Sequence, residues 1–202
     1  HAIADEQDMR RYGGLIRSLP FSYSMILIGS LSLMGFPFMT GFYSKDAILE
    51  LAYASYSTHA TFAHWLGTIS AFFTAFYSMR LIYLTFITDT NSTQSTFKGS
   101  HENPWEMSIT LVILGFGSIF IGYIFRDAFI GPGSNFFGNS IYVNPNNLNL
   151  LEAEFLSPIV KWTPVLLSFI GAGSALLLYW KKAPLASEKA LILLYTLSPA
   201  GV

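Results

Sequence analysis

The chain has no cysteine in its 202 residues, which excludes disulfides and any iron-sulfur cluster held by its own thiolates. Its four histidines, His1, His59, His64 and His101, fall at no metal-ligand spacing. No redox centre is therefore expected here, and electron chemistry coupled to this chain has to sit in another one. Charge is scarce too. Asp, Glu, Lys and Arg make up 11% of the residues, against the ~25% of a soluble domain. A net charge of -1, with no basic stretch carrying interleaved aromatics, excludes nucleic acid as a partner. The first residue is His1, and no charged lead followed by a short apolar stretch and a cleavage site is present. The expectation is a piece of a longer polypeptide or a split gene product.

What fills the composition instead is apolar surface, with 52% hydrophobic residues and a mean hydropathy of +0.46. The fold class that follows is an all-α integral membrane protein with about four transmembrane helices, in contact with membrane lipid. The spacing places a polar connector over 1–17, a first span over 18–54, a second over 63–88, a third over 105–125 and a fourth over 159–180. Polar loops occupy 89–104 and 126–158, and a tail occupies 181–202. Residues 53–63 read as a short turn. The loop after the third span is rich in Gly, Asn and Pro and shows no helical period. Trp65, Trp105, Trp162 and Trp180 stand at span ends, as an interfacial aromatic belt requires.

The first span is interrupted. From Ser18 to Ser44 there is no charge, yet Gly35, Pro37 and Gly41 fall close together in the middle. Proline removes a backbone donor and clashes with the carbonyl four residues back, so the helix should break near Pro37. Broken helices are where transporters place ion sites, because freed backbone survives in a membrane only inside protein or beside water.

Directly after the break come Lys45, Asp46 and Glu50. A charge at bilayer centre costs on the order of 2.5 to 3.5 kcal/mol even on lenient scales, so it must be paired or hydrated. Asp46 and Glu50, four apart, share a helical face, with Lys45 about 100 degrees round from Asp46. A desolvated lysine gives up its proton readily, which suits a relay with two carboxylate partners. The competing reading ends the span at Tyr43 and leaves these charges in an interfacial loop. Arg80, the only charge in the second span, either snorkels to the surface or pairs with Asp46. His59 and His64 read as exposed polar residues in the turn. Gly115, Gly117 and Gly122, inside an apolar span with no strand before them, read as close helix packing and not as a dinucleotide loop.

Lysine and arginine are unevenly distributed. Arg10, Arg11, Arg17, Lys98, Lys181, Lys182 and Lys189 fall on the connector, the 89–104 loop and the tail, against Arg126 and Lys161 on the other side. That bias puts the first side in the cytoplasm or matrix.

The stretches HAIADEQDMRRYGGL, GSLSLMGFPFMTGFYSKDAILE and FFTAFYSMRLIYLTF together resemble the chain 5 family of mitochondrial NADH:ubiquinone oxidoreductase, the antiporter-like membrane subunits of respiratory complex I. The resemblance is carried by the first ninety residues, in which the EQD, GG and GFYSKD elements come in family order. It implies a multi-pass protein of the mitochondrial inner membrane. The fold would be part of an antiporter-like inverted repeat, with Lys45 as the mid-membrane lysine of the second repeat and Asp46 beside it. It implies proton translocation coupled to NADH oxidation and ubiquinone reduction. NADH, FMN, iron-sulfur clusters and ubiquinone would be held by other subunits and no cofactor by this chain. The implied partners are the other membrane-arm subunits and the missing amino-terminal part of the same subunit. Two alternatives are the large subunit of a multi-subunit sodium/proton antiporter, and a structural membrane anchor in which Lys45 is inert.

Overall fold

A computed structural model describes residues 9, 13–55, 57–91, 97, 100–131, 133–138, 140 and 147–197, with side chains up to residue 180. The connector up to residue 12 (apart from Met9), Lys98 and the tail's side chains lie outside the described residues. The described elements are helical: α1 (Pro20–Met34), α2 (Thr40–Ala54), α3 (Thr58–Ile82, closing in a π-helical turn Tyr83–Ile87), α4 (Trp105–Phe129), α5 (Asn149–Glu154) and α6 (Pro158–Leu197).

The break falls where the proline and glycines put it. Gly35 ends α1 in the left-handed region at φ 78, and its neighbour Phe36 closes the turn by donating from its N–H to the Leu31 carbonyl at 3.0 Å. Phe38 also adopts a left-handed conformation, at φ 71. That is an unusual backbone for an aromatic residue, held here by the turn around it. Each half-helix has 15 residues, or about 22 Å, and neither crosses a ~30 Å hydrocarbon layer alone. Among the described residues, three other helices are long and apolar enough to do so: Thr58–Ile87, Trp105–Phe129 and Pro158–Trp180.

Several boundaries differ from the hydropathy reading. The turn expected over 53–63 contracts to the few residues between Ala54 and Thr58, because Ser57 caps α3 by accepting from the Ala60 N–H at 3.2 Å. The third span, expected to end at 125, runs on to Phe129, since Arg126, Asp127 and Ala128 offer nothing to break a helix before Gly131. The loop expected over 126–158 contains the short helix α5. The fourth span and the tail are one helix through Leu197.

Helix α3 holds the bundle together. His64, Thr68, Ala71, Ala75, Ser78 and Ile82 form a buried stripe spaced alternately by four and three. Its other flank lies along α6 in parallel register. A β-carbon at Gly171 would overlap the Phe72 carbonyl, and eight residues further on in each helix Arg80 stacks on Tyr179. The break docks on α4, where Gly122 lets the Thr40 backbone approach: a β-carbon there would lie 2.5 Å from the Thr40 Cα. The Thr40 hydroxyl donates to the Gly117 carbonyl at 2.8 Å and accepts from the Gly122 N–H at 2.9 Å. Close packing thus explains Gly122. The far end of α1 has no cap of its own. Glu102, 81 residues on, accepts from the Phe21 N–H at 2.8 Å and from the Ser22 hydroxyl at 2.7 Å. A carboxylate there also complements the helix dipole.

Candidate functional site

In an unbroken helix the Met34 carbonyl would accept from the N–H of Phe38, four residues on. The break carries Phe38 away, and the ammonium of Lys45 takes its place, with Nζ 2.7 Å from the Met34 oxygen. The same Nζ lies 3.4 Å from the Ser168 hydroxyl on α6. A cation at a helix carboxyl terminus is favoured by the helix dipole as well as by the hydrogen bond. Gly35 is needed at this point for a second reason, since a β-carbon there would stand 2.8 Å from Nζ. Lys45 is therefore lodged between the two half-helices, half-buried, and not in an interfacial loop.

Beside it lies a cavity of about 320 Å³, bounded by the end of α1, by Met79 of α3 and by Ser168, Phe169 and Ala172 of α6. Its walls are almost wholly apolar. Ser168 is the hydroxyl that Lys45 reaches, so the ammonium stands at the edge of this space.

Asp46 is 5% exposed and neither carboxylate oxygen has a hydrogen-bond partner among the described residues. It lies on the buried stripe of α2 with Leu49 and Ala54. Burying such a group without a donor is unfavourable by several kcal/mol in order of magnitude. Lys45 and Glu50 are the charges that act on it. A relay needs such a group: a carboxyl that no fixed donor occupies and that sits next to an amine.

Arg80 is not brought to Asp46. On α3, Gly67 and His64 are the residues level with Leu49 of α2, and Arg80 stands more than three turns further along the helix. Its guanidinium lies over the Tyr179 ring, 5.6 Å from the centroid. The ion pair weighed from sequence is thus not formed, because the register of α2 on α3 puts the two groups at different depths.

Glu50, one turn beyond Asp46 on α2, lines a pocket with residues of α4 and α5. The cations that act on it are Lys161 of α6 and Arg126 of α4, with Asp127 and Glu154 around the same small polar pocket. Sequence reading had placed Arg126 and Lys161 only as surface charges. Their meeting with Glu50 depends on how α4 and α6 pack and leaves no local signal.

His64 is also misplaced by the sequence reading. It is 1% exposed on α3, and because a carbonyl only accepts, its Nδ1 donates to the Leu49 oxygen at 2.8 Å. The Tyr53 ring packs edge-on against it with centroids 5.0 Å apart. The alternating four-and-three stripe of which it is the first member was the signal available. His59, in the first turn of α3, is exposed.

Residues 1–74 match the family model described as NADH:quinone oxidoreductase/Mrp antiporter, TM. The chain is 59% identical over 182 residues to NADH-ubiquinone oxidoreductase chain 5 of Phytophthora infestans, covering 90% of this chain and 27% of that protein. It is 54% identical over 173 residues to the Marchantia polymorpha protein of the same name, covering 85% of this chain and 26% of the relative. The Arabidopsis thaliana protein is 53% identical over 173 residues with the same coverage. The chain thus spans about a quarter of the length of these relatives.

Proposed function

Because this chain belongs to the NADH-ubiquinone oxidoreductase chain 5 family, we propose that its broken helix is one proton-handling unit of a redox-driven pump in the mitochondrial inner membrane. In this reading Lys45 is the exchanging group, Asp46 its immediate partner, and Ser168 and the Met34 carbonyl hold the ammonium when it is charged. NADH oxidation and ubiquinone reduction, with FMN and iron-sulfur clusters, belong to other subunits of the complex. The remainder of the same subunit and its membrane-arm neighbours would cover the apolar faces. The outer surface of α4 is the largest candidate, since that helix buries only Gly115.

The observation that carries this is the Lys45 ammonium on the Met34 carbonyl at 2.7 Å. One cation there is bonded to a backbone group exposed only by the break, and it lies next to both an unpartnered carboxylate and a cavity. A structural anchor requires none of these in the bundle interior. When Lys45 loses its proton the Met34 carbonyl loses its donor. The state of charge is therefore linked to the geometry of the break, which is how a distant redox event can act on it. The test is proton release per NADH oxidised by the intact complex in sealed vesicles, with Lys45→Met and Lys45→Arg compared with wild type. Unchanged stoichiometry in both would refute the relay.

A further inference from the structure

Resting on that reading, we infer that Glu50, together with Arg126 and Lys161, forms the outward port of the Lys45–Asp46 unit, at the end of the bundle where α2, α4, α5 and α6 meet. The port is a pocket of about 60 Å³ lined by Glu50, Arg126, Asp127, Leu150, Ala153 and Glu154. Lys161 completes it by donating from Nζ to the Glu154 carbonyl at 2.7 Å, which ties α6 to the last residue of α5.

Three features make this a port instead of a surface ion cluster. Glu50 is half-buried, whereas Arg126, Asp127 and Glu154 are exposed, so the pocket spans from interior to surface. Glu50 stands one helical turn, about 6 Å, beyond Asp46 on the same face of α2, within reach through one bridging water. It also bears charge on both sides, since Glu50 acts on Asp46 while Lys161 and Arg126 act on Glu50. Of the other titratable groups near this end, His64 has its Nδ1 committed to the Leu49 carbonyl with the Tyr53 ring against it, and Glu152 lies on α5.

The proton step balances. The O–H bond of a protonated Asp46 breaks as an O–H bond forms on the Glu50 carboxylate. The Glu50 O–H then breaks and the proton passes to water in the pocket mouth as hydronium, leaving Glu50 anionic under the influence of Lys161 and Arg126. Those cations repel an incoming hydronium, so the port favours release over re-entry as long as Arg126 and Lys161 stay in place. Helix α5, with six residues held at one end by Lys161, is the element that would have to shift to open it.

The experiment uses the intact complex in sealed vesicles, with membrane potential collapsed, and follows NADH oxidation and proton release together. Glu50→Gln should lose the same share of proton release as Lys45→Met, Glu50→Asp should restore it, and Arg126→Met should lower release while NADH oxidation is less affected. If Lys45→Met loses release and Glu50→Gln keeps wild-type stoichiometry, the port is overturned and the relay stands. If Lys45→Met itself is unaltered, the relay fails and the port with it. Should Glu50→Gln not assemble, Arg126→Met carries the test, since Arg126 lines the same pocket. Slowed release at a preserved redox rate supports the port, and unaltered release overturns it.

Discussion

The ammonium of Lys45 and the carbonyl of Met34 are eleven residues apart in the chain and 2.7 Å apart in space, and the second is available only because the first half-helix stops at Gly35. The lysine does at this position what the N–H of Phe38 would do in a continuous helix. Holding a helix end with a side chain that can lose its proton makes the break a two-state element. In the charged state the carbonyl is satisfied, and in the neutral state it is free to take water or to shift. The consequences can be tested one contact at a time.

Lys45→Met fills nearly the volume of lysine without its charge, so assembly on native gels should stay largely intact while proton release per NADH falls. Lys45→Arg keeps a cation for the Met34 carbonyl but does not give up its proton in practice, with a pKa above ~12. It should assemble at least as well and still slow proton exchange. Wild-type proton release in the arginine variant would mean that a fixed charge is enough.

Gly35→Ala adds a β-carbon 2.8 Å from Nζ at a residue whose φ is 78. Leaving the left-handed region to a residue with a β-carbon costs roughly 1 to 2 kcal/mol before any displacement of the lysine. The expected outcome is a lower thermal midpoint of the isolated complex together with impaired proton release, because the ammonium and the turn compete for one space. A variant with normal stability and normal proton release would show that the turn is not as drawn.

Thr40→Val removes a hydroxyl that bonds both the Gly117 carbonyl and the Gly122 N–H on α4. Each such bond contributes about 1 kcal/mol net, and losing both loosens the docking of the break on α4. Thr40→Ser keeps the hydroxyl and should behave like wild type. Thermal inactivation of NADH-driven proton release, followed in parallel for the two variants, separates them.

Glu102→Ala removes the carboxylate that caps α1 from across the bundle, with an expected loss of about 0.5 to 2 kcal/mol. Since Glu102 lies at the opposite end of α1 from the break, proton release per NADH in the surviving complex should equal wild type. A changed stoichiometry would give that end of α1 a role beyond capping.

Single cysteines at Lys98 and Ser140 should be labelled from opposite sides of the inner membrane, position 98 from the matrix. The motive is the skew of lysine and arginine toward the connector, the 89–104 loop and the tail. Labelling of both from one side in mitoplasts would overturn the topology.

The interrupted span, the lysine and carboxylates after it, and the long apolar helices were all legible in the sequence, because each is a local property. Hydropathy marks the spans, Pro37 removes one N–H, and Gly35 permits a left-handed turn, whatever the rest of the chain does. Helix ends were read less well. Arg126 looked like a terminus by its charge, yet α4 continues to Phe129 because charge alone does not end a helix.

What Lys45, Glu50, Arg80 and His64 touch was decided only by tertiary structure. The register of α2 on α3 buries His64 under Leu49 and keeps Arg80 away from Asp46, and the docking of α4, α5 and α6 turns Arg126 and Lys161 from surface charges into the neighbours of Glu50. A helical pattern specifies which face of a helix is buried. It does not specify which residue eighty or a hundred positions away will stand opposite, since that follows from how side chains of several helices interlock at once.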